Sequence, residues 1–295
     1  MSSQLFLILL SIGACSASKT TKQDTTTFPY TVNVPTQTIS LAADLKEISG
    51  LSLSADGEQL LAINDEKGIL FMLNKTTGNI EQQVVFHDDG DYESLEVVDN
   101  TIYIGKGKGS IYAINDIKEP LKNKQKYDTG LGKEADIEGM AYDKAQNQLI
   151  LTCKGVTSDP YKRSIYGFDL ATKKLTTAPL FDISLTQVQD FLKKTNADQD
   201  DFDKYFETVP SEFHFGPSGI AVHPITGEWY VISSVGKVLM VVSRKGEILN
   251  MIKLDKKIHP QPEGITFETD GTLYISDEGK NEAIPKIHRF IYNKQ

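Results

Sequence analysis

Acidic side chains recur at one position of a short repeated motif. In five copies of the motif, the position before a small residue is occupied in turn by Ser49, Glu93, Glu138, Ser218 and Glu263. A second column, two residues earlier, contains Glu47, Asp91, Asp136, Gly216 and Gln261. Carboxylates brought close together repel each other, so they either retain protons or gather around a cation.

This pattern predicts a calcium site. Ca²⁺ prefers oxygen ligands at about 2.3–2.6 Å. Zinc and copper recruit histidine or cysteine, and neither residue occupies the two columns. The candidate ligands of a divalent cation are Glu47, Asp91, Glu93, Asp136, Glu138 and Glu263. Alternatively, the same acids cap strand ends or accept hydrogen bonds from backbone amides.

The spacing of the motif predicts how these residues are brought together. Its copies lie about 45 residues apart, except for one interval of 80, and each is followed by an Asn/Asp/Gly turn and an apolar strand. Such spacing is typical of a β-propeller, in which equivalent residues of all blades converge on one axis. We therefore expect an all-β fold, a five-bladed β-propeller with the acids at its central channel. Six blades are the alternative.

The two ends of the repeat region predict how the ring closes. The fifth copy ends after its third strand, at residues 286–291, whereas residues 30–41 are strand-like and belong to no blade. We expect residues 30–41 to form the outer strand of the fifth blade, because closure removes exposed sheet edges.

The interval of 80 residues predicts a helical insertion between the third and fourth blades, at about 182–214. Residues 185–194 place apolar side chains at helical spacing. Residues 198–206 are a candidate for a second helix.

A second polar group is predicted near the ends of the second strands, where loops of propellers commonly bind ligands. These candidate ligand-binding residues are Asn64, Asp65, Glu66, Lys106, Lys154, Asp277 and Glu278. Turn formation explains the two Asp-Glu pairs equally well, since each precedes a glycine. The five histidines show no spacing typical of a metal site or a catalytic triad.

The amino terminus predicts export. The apolar run at residues 5–10 is too short to span a bilayer and suits a signal peptide. Residues 12–15, Ile-Gly-Ala-Cys, resemble a bacterial lipobox. We expect a lipoprotein signal peptide over 1–14, lipidation of Cys15, a flexible tether over 15–29 and the propeller domain over 30–295. An ordinary signal peptide is the alternative. The lipid anchor would attach the protein to a membrane of the bacterial cell envelope, periplasmic or surface-exposed.

The net charge of −9 and the lack of a basic stripe argue against a nucleic-acid partner. Only Cys153 would remain in the globular domain, which excludes an intramolecular disulfide there.

The chain resembles the SdiA-regulated family of bacterial envelope propellers. The resemblance rests on Glu47–Leu51, Ile137–Met140 and Pro262–Ile265, together with Ile63–Glu66 and Ile275–Gly279. It implies a five-bladed, distantly NHL-like propeller with calcium in a central site and no established catalysis. Glu93, Glu138 and Glu263 match the acidic positions of the motif, whereas Ser49 and Ser218 carry no carboxylate.

Two functions are compatible with this interpretation. The first is an envelope-anchored, calcium-binding module that presents its loops to an unknown small molecule or envelope protein. The second is a metal-dependent hydrolase, either a phosphoesterase of the phytase type or a lactonase, because propellers of both kinds hold calcium in the channel. A phytase would need a basic rim, for which only Lys106 and Lys154 are well placed. The five copies favour the binding module, since lactonases of this type usually have six blades.

Overall fold

The computed structural model describes residues 28–156, 158–195, 202, 206, 213–280 and 283–294. The predicted signal peptide, Cys15 and most of the predicted tether lie outside the described residues. The described chain forms five antiparallel sheets, which we number as blades 1–5 in chain order.

Each blade begins with the strand nearest the axis. Blade 1 consists of β2 (Ile48–Leu53), β3 (Gln59–Asn64), β4 (Ile69–Asn74) and β5 (Ile80–Val85). Blade 2 consists of β6 (Tyr92–Val98), β7 (Thr101–Lys106), β8 (Ser110–Ile114) and β9 (Lys124–Asp128). Blade 3 contains β10 (Ile137–Asp143), β11 (Gln148–Cys153), β12 (Lys162–Asp169), β13 (Lys174–Leu175) and β14 (Phe181–Ser184). Blade 4 consists of β15 (Gly216–Val222), β16 (Trp229–Val235), β17 (Val238–Val242) and β18 (Ile248–Lys253).

Blade 5 is built from both ends of the described chain. It contains β19 (Pro262–Phe267), β20 (Leu273–Asp277), β21 (Lys286–Phe290) and, outermost, β1 (Gln37–Ser40). Strand β1 pairs antiparallel with β21, with Ile39 opposite Ile287. The predicted closure of the ring by the amino-terminal segment is therefore confirmed.

The inner strands contact one another in the cyclic order β2, β6, β10, β15, β19 and back to β2. This order confirms the five-bladed propeller over the six-bladed alternative. Apolar side chains fill the space between neighbouring blades. Between blades 1 and 2, for example, Ile63 and Leu70 pack with Leu95 and Ile104.

The motif residue lies at a β-bulge in every blade. The pairing register of each inner strand shifts between the residues on either side of it, as between Ile137 and Gly139. The glycine that follows has little free space. A Cβ atom at Gly219 would lie 2.5 Å from the carbonyl oxygen of Glu263 in the next blade. The absent side chain thus allows the inner strands to approach closely.

The outer strand of blade 3 is interrupted. Strands β13 and β14 pair with β12 as two separate pieces. The interruption contains Pro179, which has no N–H group to donate to the sheet. Pairing bonds to β12 remain on either side, from Thr176 N to the carbonyl of Gly167 and from Leu180 N to that of Ile165.

The predicted insertion begins with the helix α1 (Leu185–Thr195), which confirms the first predicted helix. Its buried side chains are Leu185, Val188 and Leu192. Of the second predicted helix, only Phe202 and Phe206 are described. Both are helical and 4% exposed, and they belong to the same apolar cluster as α1.

The closure strand should contribute strongly to stability. Ile39 is 3% exposed, so we expect Ile39→Ala to lower the free energy of unfolding by about 2–5 kcal/mol. The matched control is Val85→Ala in the outer strand of blade 1, where Val85 is 56% exposed. Surface changes of this kind usually alter stability by less than about 0.5 kcal/mol. Thermal or urea unfolding measures both effects, and equal losses would contradict the role of β1.

Candidate metal centre in the central channel

Three glutamates from three blades line one cavity on the propeller axis. Glu93, Glu138 and Glu263 are the second residues of β6, β10 and β19, and Ser49 of β2 lines the same cavity. Glu138 and Glu263 are 7% and 5% exposed. The bulges and the cyclic order of the blades thus bring together acids that lie far apart in sequence.

The two serines of the first column connect neighbouring blades. Ser49 Oγ donates to the carbonyl oxygen of Tyr92 at 2.6 Å, and Ser218 Oγ donates to that of Pro262 at 2.7 Å. Each acceptor directly precedes a glutamate of the column. The serines therefore hold the backbone at Glu93 and Glu263 in place.

Glu93 lies in the most acidic surroundings of the three. Burial raises its pKa to about 9, with further contributions from Glu138, Asp91 and Asp65. In the absence of a cation, this side chain is therefore protonated at neutral pH.

Glu138 is paired with the ammonium group of Lys154, at 2.7 Å from Nζ to Oε1. Burial still raises the pKa of Glu138 to about 7, although Lys154 opposes the rise. Burial also disfavours the charge of Lys154, but Glu138, Glu263 and Asp136 together raise the pKa of this lysine. Lys154 is therefore the charged counter-ion of this side of the cavity.

Glu263 shares that counter-ion. Its pKa is raised well above the usual value by burial first, then by Glu138 and Glu278, while Lys154 acts in the opposite direction. Gln261 Nε2 also donates to Glu263 Oε1 at 2.5 Å. One lysine thus offsets part of the charge of two buried glutamates.

The second acidic column lies next to the first. Asp91, Asp136 and Glu93 all lie close to Gly107. A Cβ atom added to Gly107 would lie 3.2 Å from Asp91 Oδ2, 3.3 Å from Asp136 Oδ1 and 3.5 Å from Cγ of Glu93. Burial raises the pKa of Asp136, with a smaller contribution from Asp91. These two aspartates therefore extend the acidic group away from Glu93.

Further acids continue the group through the predicted ligand-binding set. Burial and then Glu47 raise the pKa of Asp65 to about 6, with a smaller effect of Glu66. Burial and then Glu47 likewise raise the pKa of Glu278 to about 7. The six predicted metal ligands, Asp65 and Glu278 therefore form one electrostatically connected acidic group.

Three members of the predicted ligand-binding set are engaged within the protein. Asn64 Oδ1 accepts hydrogen bonds from the backbone of Glu66 and Lys67, at 2.9 and 3.1 Å, and so shapes a turn. Lys106 Nζ lies 4.5 Å from the centre of the Tyr92 ring. Asp277 is 1% exposed and bonds to His259 and to the backbone of Gln261.

A group that the histidine spacing did not predict is formed by His259, Asp277 and His288. One possible ligand atom from each lies within 4.8 Å of the others. The pairing of β20 with β21 would have indicated that His288 lies near Asp277. His288 lies opposite Ile275, which is two residues from Asp277 and on the same face of β20. His259, in the loop before β19, could not be placed in this way.

A family model for SdiA-regulated proteins matches residues 23–162 and 183–281. The chain belongs to the SdiA-regulated family. No curated protein matches this family member. In the described part of the chain, no helix has the length and hydropathy of a membrane span.

Solved structures of similar fold include several propellers of low sequence identity. Glutaminyl cyclase of Myxococcus xanthus superposes with a TM-score of 0.58 at 11% identity, covering 88% of this chain and 96% of that one. The PQQ-bound aldose sugar dehydrogenase of Streptomyces coelicolor gives 0.51 at 10% identity, covering 87% and 97%. A chain of a nidogen/laminin complex gives 0.51 at 13% identity, covering 80% and 74%. At these identities, the similarity concerns the fold alone.

Ionisation of Glu93 predicts how stability depends on pH. An unfolded glutamate ionises near 4.5, whereas Glu93 in the folded protein has a pKa of about 9. Between these values the folded state binds more protons, so the free energy of unfolding falls as the pH rises. We expect the Tm in EDTA to decrease between about pH 7 and 9, a range in which unfolded histidines are largely neutral.

The Glu93→Gln variant should show a smaller decrease, because glutamine does not titrate. The control is Glu119→Gln, which makes the same chemical change at a side chain 55% exposed. Identical slopes for the wild type and both variants would contradict the assignment of a raised pKa to Glu93.

Proposed function

We propose that this SdiA-regulated propeller binds Ca²⁺ in its acidic central channel and acts as a ligand- or partner-binding module of the bacterial envelope. The observation that carries the proposal is the convergence of Glu93, Glu138 and Glu263 on one buried cavity. Lys154 offsets only part of the negative charge that these carboxylates would carry when ionised. A bound divalent cation would supply the remaining positive charge.

The donor set fits calcium. The cavity and its acidic surroundings offer carboxylate oxygens, and no histidine or cysteine among the described residues lines the cavity. Ca²⁺ accepts six to eight oxygen ligands in flexible geometry. The residues that would hold it are Glu93, Glu138 and Glu263 of the first column, with Glu47, Asp91 and Asp136 of the second.

The distribution of charge favours the side of the channel near Glu93. Glu138 and Glu263 share the charge of Lys154, whereas the largest contributions at Glu93, from burial, Glu138, Asp91 and Asp65, all raise its pKa. Glu93, with Asp91 and Asp65 beside it, therefore has the greatest need for a cation. Binding there would release the proton that Glu93 holds at neutral pH.

A binding module is favoured over a hydrolase by the state of the lysines near the channel. Lys154 is paired with Glu138, Lys106 lies over the Tyr92 ring, and Lys237 Nζ donates to the carbonyl of Ser234 at 2.6 Å. A phosphoesterase of the phytase type would need basic side chains directed at phosphate. The proposed location in the envelope depends on export and on lipidation of Cys15.

Calcium titration of the purified protein tests the proposal. We expect saturable Ca²⁺ binding by calorimetry, with an affinity that increases with pH by up to about tenfold per unit, because one proton is displaced. Glu93→Gln should weaken binding by at least about tenfold, since ligand charge sets calcium affinity. Glu119→Gln should bind as the wild type does.

Two outcomes would overturn the proposed function. Absence of calcium binding, or unchanged affinity in the Glu93→Gln variant, would remove the metal site. Chelator-sensitive turnover in a screen of phosphate esters and lactones would replace the binding module with the hydrolase.

Lys154 should compete with calcium for the cavity. Lys154→Gln removes the positive charge beside Glu138 and Glu263, so we expect lower thermal stability in EDTA and stronger Ca²⁺ binding. Lys122→Gln is the control, because Lys122 forms an exposed pair with Glu119. Weaker calcium binding by Lys154→Gln would contradict this competition.

A further inference from the structure

His259, Asp277 and His288 form a buried group where blade 5 meets the amino-terminal segment. His259 lies in the connection between β18 and β19, Asp277 ends β20 and His288 belongs to β21. Their side chains are 0%, 1% and 3% exposed. The acidic group of the central channel and its calcium hypothesis do not account for these residues.

The hydrogen bonds of His259 leave the lone pair of its Nδ1 atom facing the carboxylate of Asp277. Nε2 of His259 lies 2.9 Å from the carbonyl oxygen of Val32, which can only accept, so this nitrogen must carry a hydrogen. In a neutral ring, Nδ1 is then unprotonated, yet it lies 3.0 Å from Asp277 Oδ2. A proton or a metal ion must therefore lie between these two atoms.

His288 offers a second nitrogen to the same carboxylate oxygen. Its Nε2 lies 3.8 Å from Asp277 Oδ2 and makes no hydrogen bond of normal geometry within the described residues. The backbone carbonyl of Ile258 also interacts with this ring. A buried nitrogen without a well-formed hydrogen bond is costly, and coordination of a cation would use it.

The surroundings of the three side chains match those of metal ligands. Histidines that bind metals usually donate their other ring N–H to a protein oxygen. His259 does so to Val32, and His288 Nδ1 lies 3.0 Å from Thr38 Oγ1. The second carboxylate oxygen of Asp277 accepts from the backbone N–H of Gln261 at 3.0 Å. Each of the three possible ligands is thus oriented by a hydrogen bond between its other polar atom and the surrounding protein.

We propose that His259 Nδ1, Asp277 Oδ2 and His288 Nε2 provide three of the four ligands of a bound Zn²⁺ ion. Two imidazole nitrogens and one carboxylate suit zinc, whereas Ca²⁺ prefers oxygen ligands alone. Tetrahedral ligands at zinc distances lie about 3.3 Å apart. The observed separations from Asp277 Oδ2, 3.0 and 3.8 Å, lie on either side of that value.

The position of the ion would couple metal binding to closure of the ring. Val32 and Thr38, which orient the two histidines, belong to the amino-terminal segment, and Thr38 lies in β1. Zinc would fix the histidine rings and thereby hold this segment against blade 5. The proposal is independent of calcium binding in the channel.

Metal analysis of the full chain tests this site. Because the ligands are buried, the protein is expressed in zinc-supplemented medium and dialysed against excess Ca²⁺ before mass spectrometry. We expect one zinc ion per chain in the wild type and in the Glu93→Gln and His87→Gln variants. Asp277→Asn and His288→Gln should lose most of it. Zinc-loaded wild type should melt about 5–10 °C above metal-free protein.

X-ray absorption of the zinc-loaded wild type provides a measurement that needs no variant. Two imidazole ligands at zinc support the proposal, whatever the folding of the variants. Zinc-free wild type, zinc displaced by calcium, or a zinc environment without imidazole would each overturn it. If the wild type contains no zinc, a proton shared by His259 and Asp277 would explain the short distance between their side chains.

Discussion

Repulsion between buried carboxylates is the interaction around which this propeller is organised. Ring closure brings residues near the start of each inner strand to a common axis, where burial weakens the screening of charge by water. Glu93, Glu138 and Glu263 therefore hold protons or depend on positive charge. Lys154 supplies only part of that charge. The proposed calcium ion would offset the remaining imbalance.

The same motif position also serves the fold. Where it is serine, the hydroxyl group binds the backbone of the next blade directly before a glutamate. Where it is glutamate, the side chain faces the cavity. The bulge accompanies both residue types, and a glycine follows in every blade except blade 2, where Ser94 takes its place. The same position of the ring therefore serves a structural role in two blades and faces the cavity in three.

Closure of the ring is the second requirement, since blade 5 contributes Glu263 to the acidic cavity. Strand β1 supplies its outer edge, and Tyr30 adds a hydrogen bond from its hydroxyl group to the carbonyl of Gly271 at 2.6 Å. The buried group of His259, Asp277 and His288 meets this segment through Val32 and Thr38. In the other blades the outer strand follows the inner strands along the chain, whereas in blade 5 it comes from the amino-terminal segment. Polar contacts hold this segment against blade 5.

The sequence by itself determined the repeat, and with it the five blades, the closing strand and the column of acids, because period and strand alternation are local properties. It also predicted α1 from helical spacing. It did not predict the break at Pro179, since the loss of one hydrogen-bond donor leaves the surrounding strand pattern intact. Only the tertiary structure decided that Lys154 pairs with Glu138, and that His259 meets Asp277. Those contacts depend on the path of loops and on side-chain directions, which no periodic pattern encodes.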